Sequence, residues 1–151
     1  MSDKTHMRTR SGMGRTIGSP IQAAAALVGA VFLLVGVLGF IPGITTSYDS
    51  LEAAGRESHA ELLGIFQVSI LHNIVHLLFG VAGLAMARAT RSATTYLIGG
   101  GAVYLVLWLY GLLVDKASEA NFVPVNAADD WLHLVLGIAM IGLGVLLGRR
   151  A

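Results

Sequence analysis

Cysteine is absent from this chain, proline occurs three times, and charged residues make up only 13% of its 151 positions. The first absence excludes disulfides, thiolate metal sites and thiol nucleophiles. The scarcity of charge, set against 55% hydrophobic residues, leaves too little polar surface to cover a soluble globule. Other signatures are missing as well. No serine lies in a nucleophile-elbow sequence and no phosphate-binding loop occurs, so hydrolase and nucleotide-enzyme readings are set aside. The basic residues are neither dense nor interleaved with aromatics, which removes nucleic acid as an expected partner. Nothing points to an enzyme, and a non-catalytic role is the expectation.

What the chain does contain is hydrophobic length. Four apolar stretches, about 21–41, 62–87, 96–114 and 131–147, each approach the ~20 residues that a hydrocarbon core requires. They predict an all-α fold: a four-helix transmembrane bundle over 19–151, following a disordered cytoplasmic tail, 1–18. Lys4, Arg8, Arg10 and Arg15 precede the first stretch as they would in a secretory signal. Its apolar core is too long for one and no clean cleavage site follows, so a retained signal anchor is expected. Pro20 suits a helix start, and Pro42 with Gly43 should end the helix after Phe40. Ser58 and Glu61 have capping-box spacing and predict a second helix from near His59, about 43 Å long through Ala87. Gly99, Gly100 and Gly101 allow the third helix a close neighbour, while Tyr96, Trp108 and Tyr110 have the placement of interface anchors. Asn126 with Asp129 can cap the fourth helix.

Orientation follows from counting cations. Eight of the ten Lys and Arg residues lie in the amino-terminal tail, the Arg88 and Arg91 turn and the carboxyl terminus; only Arg56 and Lys116 lie elsewhere. By the positive-inside rule both termini are cytoplasmic.

The second and fourth apolar stretches carry the chemistry. At 100° per residue Ser69, His72, His76, Gly80, Gly83 and Ala87 fall in a stripe of about 60°, with Asn73 at its edge. The fourth stretch repeats the arrangement with Asp129, Asp130, His133, Gly137, Met140, Gly144 and Gly148. A displacement of 57 residues lays His76-Leu77-x-x-Gly80-x-Ala82 onto His133-Leu134-x-x-Gly137-x-Ala139, and one of 72 lays Gly29-Ala30-Val31 onto Gly101-Ala102-Val103. Two tandem hairpins of like orientation, parallel repeats about an axis along the membrane normal, are therefore expected.

His72-Asn73-x-x-His76 followed by a glycine-bearing helix, with Asn126-x-x-Asp129-x-x-x-His133-Leu134 opening the last span, resembles a family of small four-span bacterial membrane proteins. That family is typical of actinobacteria and classed as a domain of unknown function. The resemblance covers helices two to four, about 90 residues, implies fold and location, and transfers no catalytic residue.

Three readings of the histidines follow from the residues. In the first, His72, Asn73 and His76 clasp Asp129, Asp130 and His133 by hydrogen bonds and set which helix faces which. In the second, His72, His76, Asp129 and His133 hold a transition metal (Zn, Fe, Cu or Mn), with Asn73 and Asp130 supporting the ligands, or two histidines ligate haem. In the third, the acids and imidazoles pass protons or a small solute, which calls for an oligomer because four helices enclose little space. The expected surroundings are a lipid bilayer, with a homo-oligomer or larger membrane complex as further partners. His6 and His59 read as solvated side chains.

Overall fold

The computed structural model describes residues 18–150. The tail cations, His6 and the expected tail disorder lie outside the described residues, Gly18 excepted. Four helices make the bundle: α1 (Pro20–Leu38), α2 (Ile70–Met86), α3 (Thr90–Leu113) and α4 (Ala127–Gly148). α1, α3 and α4 are each long and apolar enough to cross a membrane, and α2 is a shorter apolar helix. Their outward faces are aliphatic: Leu27, Leu34, Leu78, Val81, Val106, Val135 and Ile138 are all exposed. Such a surface suits lipid tails and is far too apolar for water, so the chain is a membrane protein.

Local chemistry sets the helix ends. Pro20 occupies the first position of α1, and Gln22 Oε1 accepts from the Ser19 amide at 2.9 Å. Beyond Leu38 the chain turns through Pro42 and Gly43, whose φ of 90° only glycine adopts without strain. Asn126 caps α4 with Asp129, as its spacing predicts.

The start of α2 differs from the sequence expectation. Ser58 does not cap a helix; its hydroxyl donates to Val68 O at 2.6 Å and accepts from Glu52 N at 3.2 Å. Strands β1 (Thr45–Thr46), β2 (Glu61–Leu62) and β3 (Phe66–Gln67) occupy this region as an antiparallel sheet in the order β1-β2-β3. Leu63 and Gly64, both at positive φ, make the β2–β3 turn and break any helix there. Ser69 is the true cap, accepting from His72 N at 3.1 Å, which leaves α2 about 26 Å long at 1.5 Å per residue. The sheet covers the end of the bundle at which α1 ends and α2 begins, where Leu62, with Ala60 and Val68, packs against Val35 and Leu38 of α1.

Packing is closest within the pairs α1/α2 and α3/α4, and sparser between them. The two pairs cross by the same contacts. A Cβ on Gly29 would lie 2.9 Å from both Gly80 O and Leu84 N; one on Gly101 would lie 2.8 Å from Gly137 O and 3.0 Å from Ile141 N. Reciprocally, a Cβ on Gly80 would meet Leu33 and Gly29 O, and one on Gly137 would meet Leu105 and Gly101 O. Each pair of contacts is related by the displacements of 72 and 57 residues. The buried positions of α2, namely His72, Asn73, His76, Gly80 and Gly83, map one for one onto Asp129, Asp130, His133, Gly137 and Met140 of α4. The tandem hairpins are thus repeats in packing as well as in sequence.

Tyr96 is not an interface anchor. It is buried in the central core and donates to Phe79 O at 3.2 Å, because α3 begins six residues earlier than its apolar run and carries Tyr96 inward.

Candidate functional site

The cap at Ser69 puts His72 in the first turn of α2 and His76 one turn further on the same face. Their ring centroids are 4.6 Å apart. On α4 the cap at Asn126 does the same for Asp129 and His133, so the polar faces of both helices meet near the sheet-covered end. His72 and His133 approach to 6.5 Å between centroids, bringing together residues 61 positions apart in sequence. All three imidazoles are buried, and none hydrogen-bonds to another side chain among the described residues; each Nδ1 is without a partner.

The carboxylates turn elsewhere, so the expected clasp between the two polar faces is not made of hydrogen bonds. Asp129 Oδ2 accepts from Asn126 N at 2.9 Å and from Gln67 N at 3.1 Å. A carboxylate at a helix N-terminus finds amide donors that lack intrahelical partners, and here it also takes one from β3. Asn126 Nδ2 donates to Ile65 O at 2.8 Å, a second tie between the β2–β3 hairpin and α4. Asp130 pairs with Lys116 at 2.7 Å, and the same ammonium donates to Gly111 O at 2.7 Å. The equivalent place in the first repeat holds Asn73 against Gly39, a neutral amide needing no cation. Gly39-x-x-x-Gly43 and Gly144-x-x-x-Gly148 have the spacing of a helix-dimerisation motif, but Gly39 and Gly144 face their own bundle: Gly39 abuts Asn73 and Gly144 abuts Ile98.

Aromatic rings complete the site. Phe32 of α1 stacks on Tyr104 of α3 at 5.3 Å and 19°, and on His76 at 5.7 Å and 15°. Tyr104 meets His133 edge-on at 5.3 Å. Phe32 and Tyr104 are themselves equivalents across the repeat, directly after the aligned Gly-Ala-Val triplets, and this alignment is the sequence signal that identifies them. Beside these rings lies a cavity of about 390 Å³, walled by aliphatic side chains of α1, α4 and the β2–β3 hairpin, with His72, His76, His133, Tyr104 and Asp129 as its polar-bearing members. Among the described residues no group of three or more His, Asp or Glu is disposed to hold a metal ion. His59 is exposed on the loop, away from the cluster.

The two cations of the loops at this end are both engaged. Lys116 holds Asp130, and Arg56 joins the loops through Glu119 and Glu57, each at 3.0 Å. The hydrogen bond to Glu119, then the charge of Glu57, hold the Arg56 guanidinium above its ordinary pKa.

The model of a family described as Domain of unknown function (DUF4383) matches residues 22–146. The chain belongs to that family. No curated protein and no solved structure matches it.

Proposed function

We propose that this family member is an integral membrane binding protein that receives a small lipophilic molecule, with His72, His76 and His133 recognising its polar end. One observation carries the reading: three imidazoles, each with a buried and unpartnered Nδ1, stand in the wall of one cavity whose exposed surface is almost wholly apolar. A buried polar group without a partner costs about 1–3 kcal/mol. Three of them stand behind the wall of this cavity, and turning of the rings would bring their nitrogens to a ligand that hydrogen-bonds. Small-molecule sites have this composition, mostly apolar with a few convergent polar groups, and 390 Å³ falls within their usual size. The protein would act in a bacterial cytoplasmic membrane with both termini inside, alone, as a homo-oligomer or within a larger membrane complex.

A second reading rests on the 6.5 Å between the His72 and His133 rings. Two imidazoles on opposite sides of one metal have centroids roughly 6 Å apart, so these two could flank a transition metal or haem iron after small movements. His76 would then supply a further ligand, while Asp129 would first have to leave its amide donors. In a third, purely structural role the cluster sets helix pairing, and in a fourth it relays protons or a small solute.

Purification of the full chain in mild detergent, followed by solvent extraction with mass spectrometry, elemental analysis and an absorption spectrum, separates these readings. The expected result is a lipophilic molecule near one per chain that is lost in His76→Leu. Stoichiometric metal or a Soret band, lost in the same variant, would overturn this reading in favour of the second. A blank result in all three, with His76→Leu only less stable, would leave the helix-pairing role.

A further inference from the structure

The cavity has a direction and a charge character that together define its occupant. Leu27 and Val31 of α1 line it and are also 66% and 47% exposed on the outer surface of the bundle. Its wall is therefore continuous with the lipid-facing surface, along the sparsely packed seam between α1 and α4. The β2–β3 hairpin walls the other end, with Leu62, Leu63 and Phe66 against the cavity and Asp129 and Asn126 fastening it to α4.

No described Lys or Arg lines the cavity, whereas a carboxylate, Asp129, does. A fatty acid, a phospholipid headgroup or the propionates of haem would bring negative charge into an apolar space with no cation to meet it. A neutral head avoids that penalty. In its neutral form an imidazole offers one N–H donor and one lone pair, so it serves carbonyl and hydroxyl groups alike. The rings beside the histidines are flat and nearly parallel, Phe32 lying at 19° to Tyr104 and 15° to His76. Such a stack favours a planar aromatic or quinonoid ring, which gains contact by offset or edge packing against it.

We propose that the lateral cavity between α1 and α4 binds the neutral ring of a quinone-class lipid, its carbonyl or hydroxyl oxygens toward His72, His76 and His133 and its tail leaving past Leu27 and Val31. This names the ligand class for the binding reading above and rests on it. The proposal concerns binding alone and requires no electron transfer.

The test uses the full chain in lipid nanodiscs, titrated separately with menadione, farnesol and oleate. Farnesol is a neutral lipid without a ring, and oleate carries the excluded charge. Saturable binding of menadione, one per chain and at least tenfold tighter than farnesol or oleate, is expected. His76→Leu should weaken it about five- to tenfold, as loss of one hydrogen bond to a buried neutral group does. Val31→Trp, at the lipid-facing mouth and outside the packed core, should block binding while leaving the melting temperature within a few degrees, and it serves if His76→Leu fails to fold. Saturable binding of farnesol equal to or tighter than menadione overturns the ring class but keeps a lipophile cavity. Preferential binding of oleate overturns the charge argument. Absence of saturable binding by any of the three overturns the cavity reading itself.

Discussion

Alanine at Gly101 should destabilise the bundle, because the crossing there leaves no room for a Cβ. The new Cβ would sit 2.7 Å from Ile141 Cγ1, 2.8 Å from Gly137 O and 3.0 Å from Ile141 N. The isoleucine side chain can rotate away, but the other two atoms are α4 backbone, so α3 and α4 must part by several tenths of an ångström. A gap of 0.5–1 Å forfeits about a quarter to a half of each dispersion contact along the seam, and overpacking of this kind costs about 1–3 kcal/mol. Replacing glycine within a helix returns about 0.8–1 kcal/mol of backbone entropy. The net loss is therefore about 0–2 kcal/mol. Gly99, on the same helix, has nothing within 4 Å of its Cβ position, so Gly99→Ala should be neutral or slightly stabilising.

Thermal unfolding in detergent, followed by circular dichroism, measures the difference between these two variants, expected at roughly 1–3 kcal/mol or several degrees. Gly29→Ala provides the repeat control, since all three of its nearest atoms are α2 backbone, at 2.9 to 3.0 Å. It should be at least as damaging as Gly101→Ala. If Gly101→Ala melts with Gly99→Ala, the crossing is not the close contact described. If Gly29→Ala is tolerated while Gly101→Ala is not, the two hairpins do not pack equivalently.

Lys116→Met strands the Asp130 carboxylate, which is 11% exposed beside a lysine that is 39% exposed. It should cost roughly 1–3 kcal/mol, less than a fully buried pair because the lysine reaches solvent. Adding Asp130→Asn should restore most of that loss in the same melting assay, the first repeat having Asn73 at this place; no recovery would refute the equivalence. Asp129→Ala removes the acceptor shared by Asn126 N and Gln67 N and should loosen the 61–67 hairpin, read as faster amide exchange at Gln67 with a loss of about 1–2 kcal/mol. Unchanged exchange at Gln67 would mean the carboxylate does not hold the hairpin. Tyr96→Phe deletes the bond to Phe79 O and should lower stability by about 0.5–1.5 kcal/mol, whereas an interface residue would tolerate the change.

The inward faces of α2 and α4 are readable in the sequence because a membrane helix has one polar stripe and nowhere else to put it. His72, His76 and His133 are all buried on those stripes, and the approach of His72 to His133 follows from their similar depth. The start of α2 is not readable in the same way. Ser58 and Glu61 have the spacing of a cap, and what decides against it is a hydroxyl bond to Val68 O, ten residues on, in a turn set by Leu63 and Gly64. The pairing of Asp130 with Lys116 likewise depends on the path of a loop, as does the hold of Asp129 on the hairpin. Phe32 and Tyr104 lie between these cases: period alone shows two aromatics in apolar helices, but the 72-residue displacement identifies them as counterparts.

Comparison of the repeats separates scaffold from site. Where the hairpins agree, at Gly29 and Gly101, Gly80 and Gly137, Leu33 and Leu105, the shared requirement is close backbone approach. Among the differences at the sheet-covered end are His72 against Asp129, Phe32 against Tyr104, and Asn73 against Asp130 with its lysine. The first loop is also about 15 residues longer than the second and supplies the hairpin that walls the cavity. A strictly symmetric pair would form the same pocket twice, on the α1/α4 and α2/α3 sides. On the α2/α3 side Phe79, the counterpart of the cavity-lining Leu136, packs on Tyr96 at 5.5 Å and on Tyr104 at 5.7 Å. Substitution at a handful of equivalent positions thus confines the imidazoles, the flat rings and the opening to lipid to one side of a bundle whose packing remains twofold.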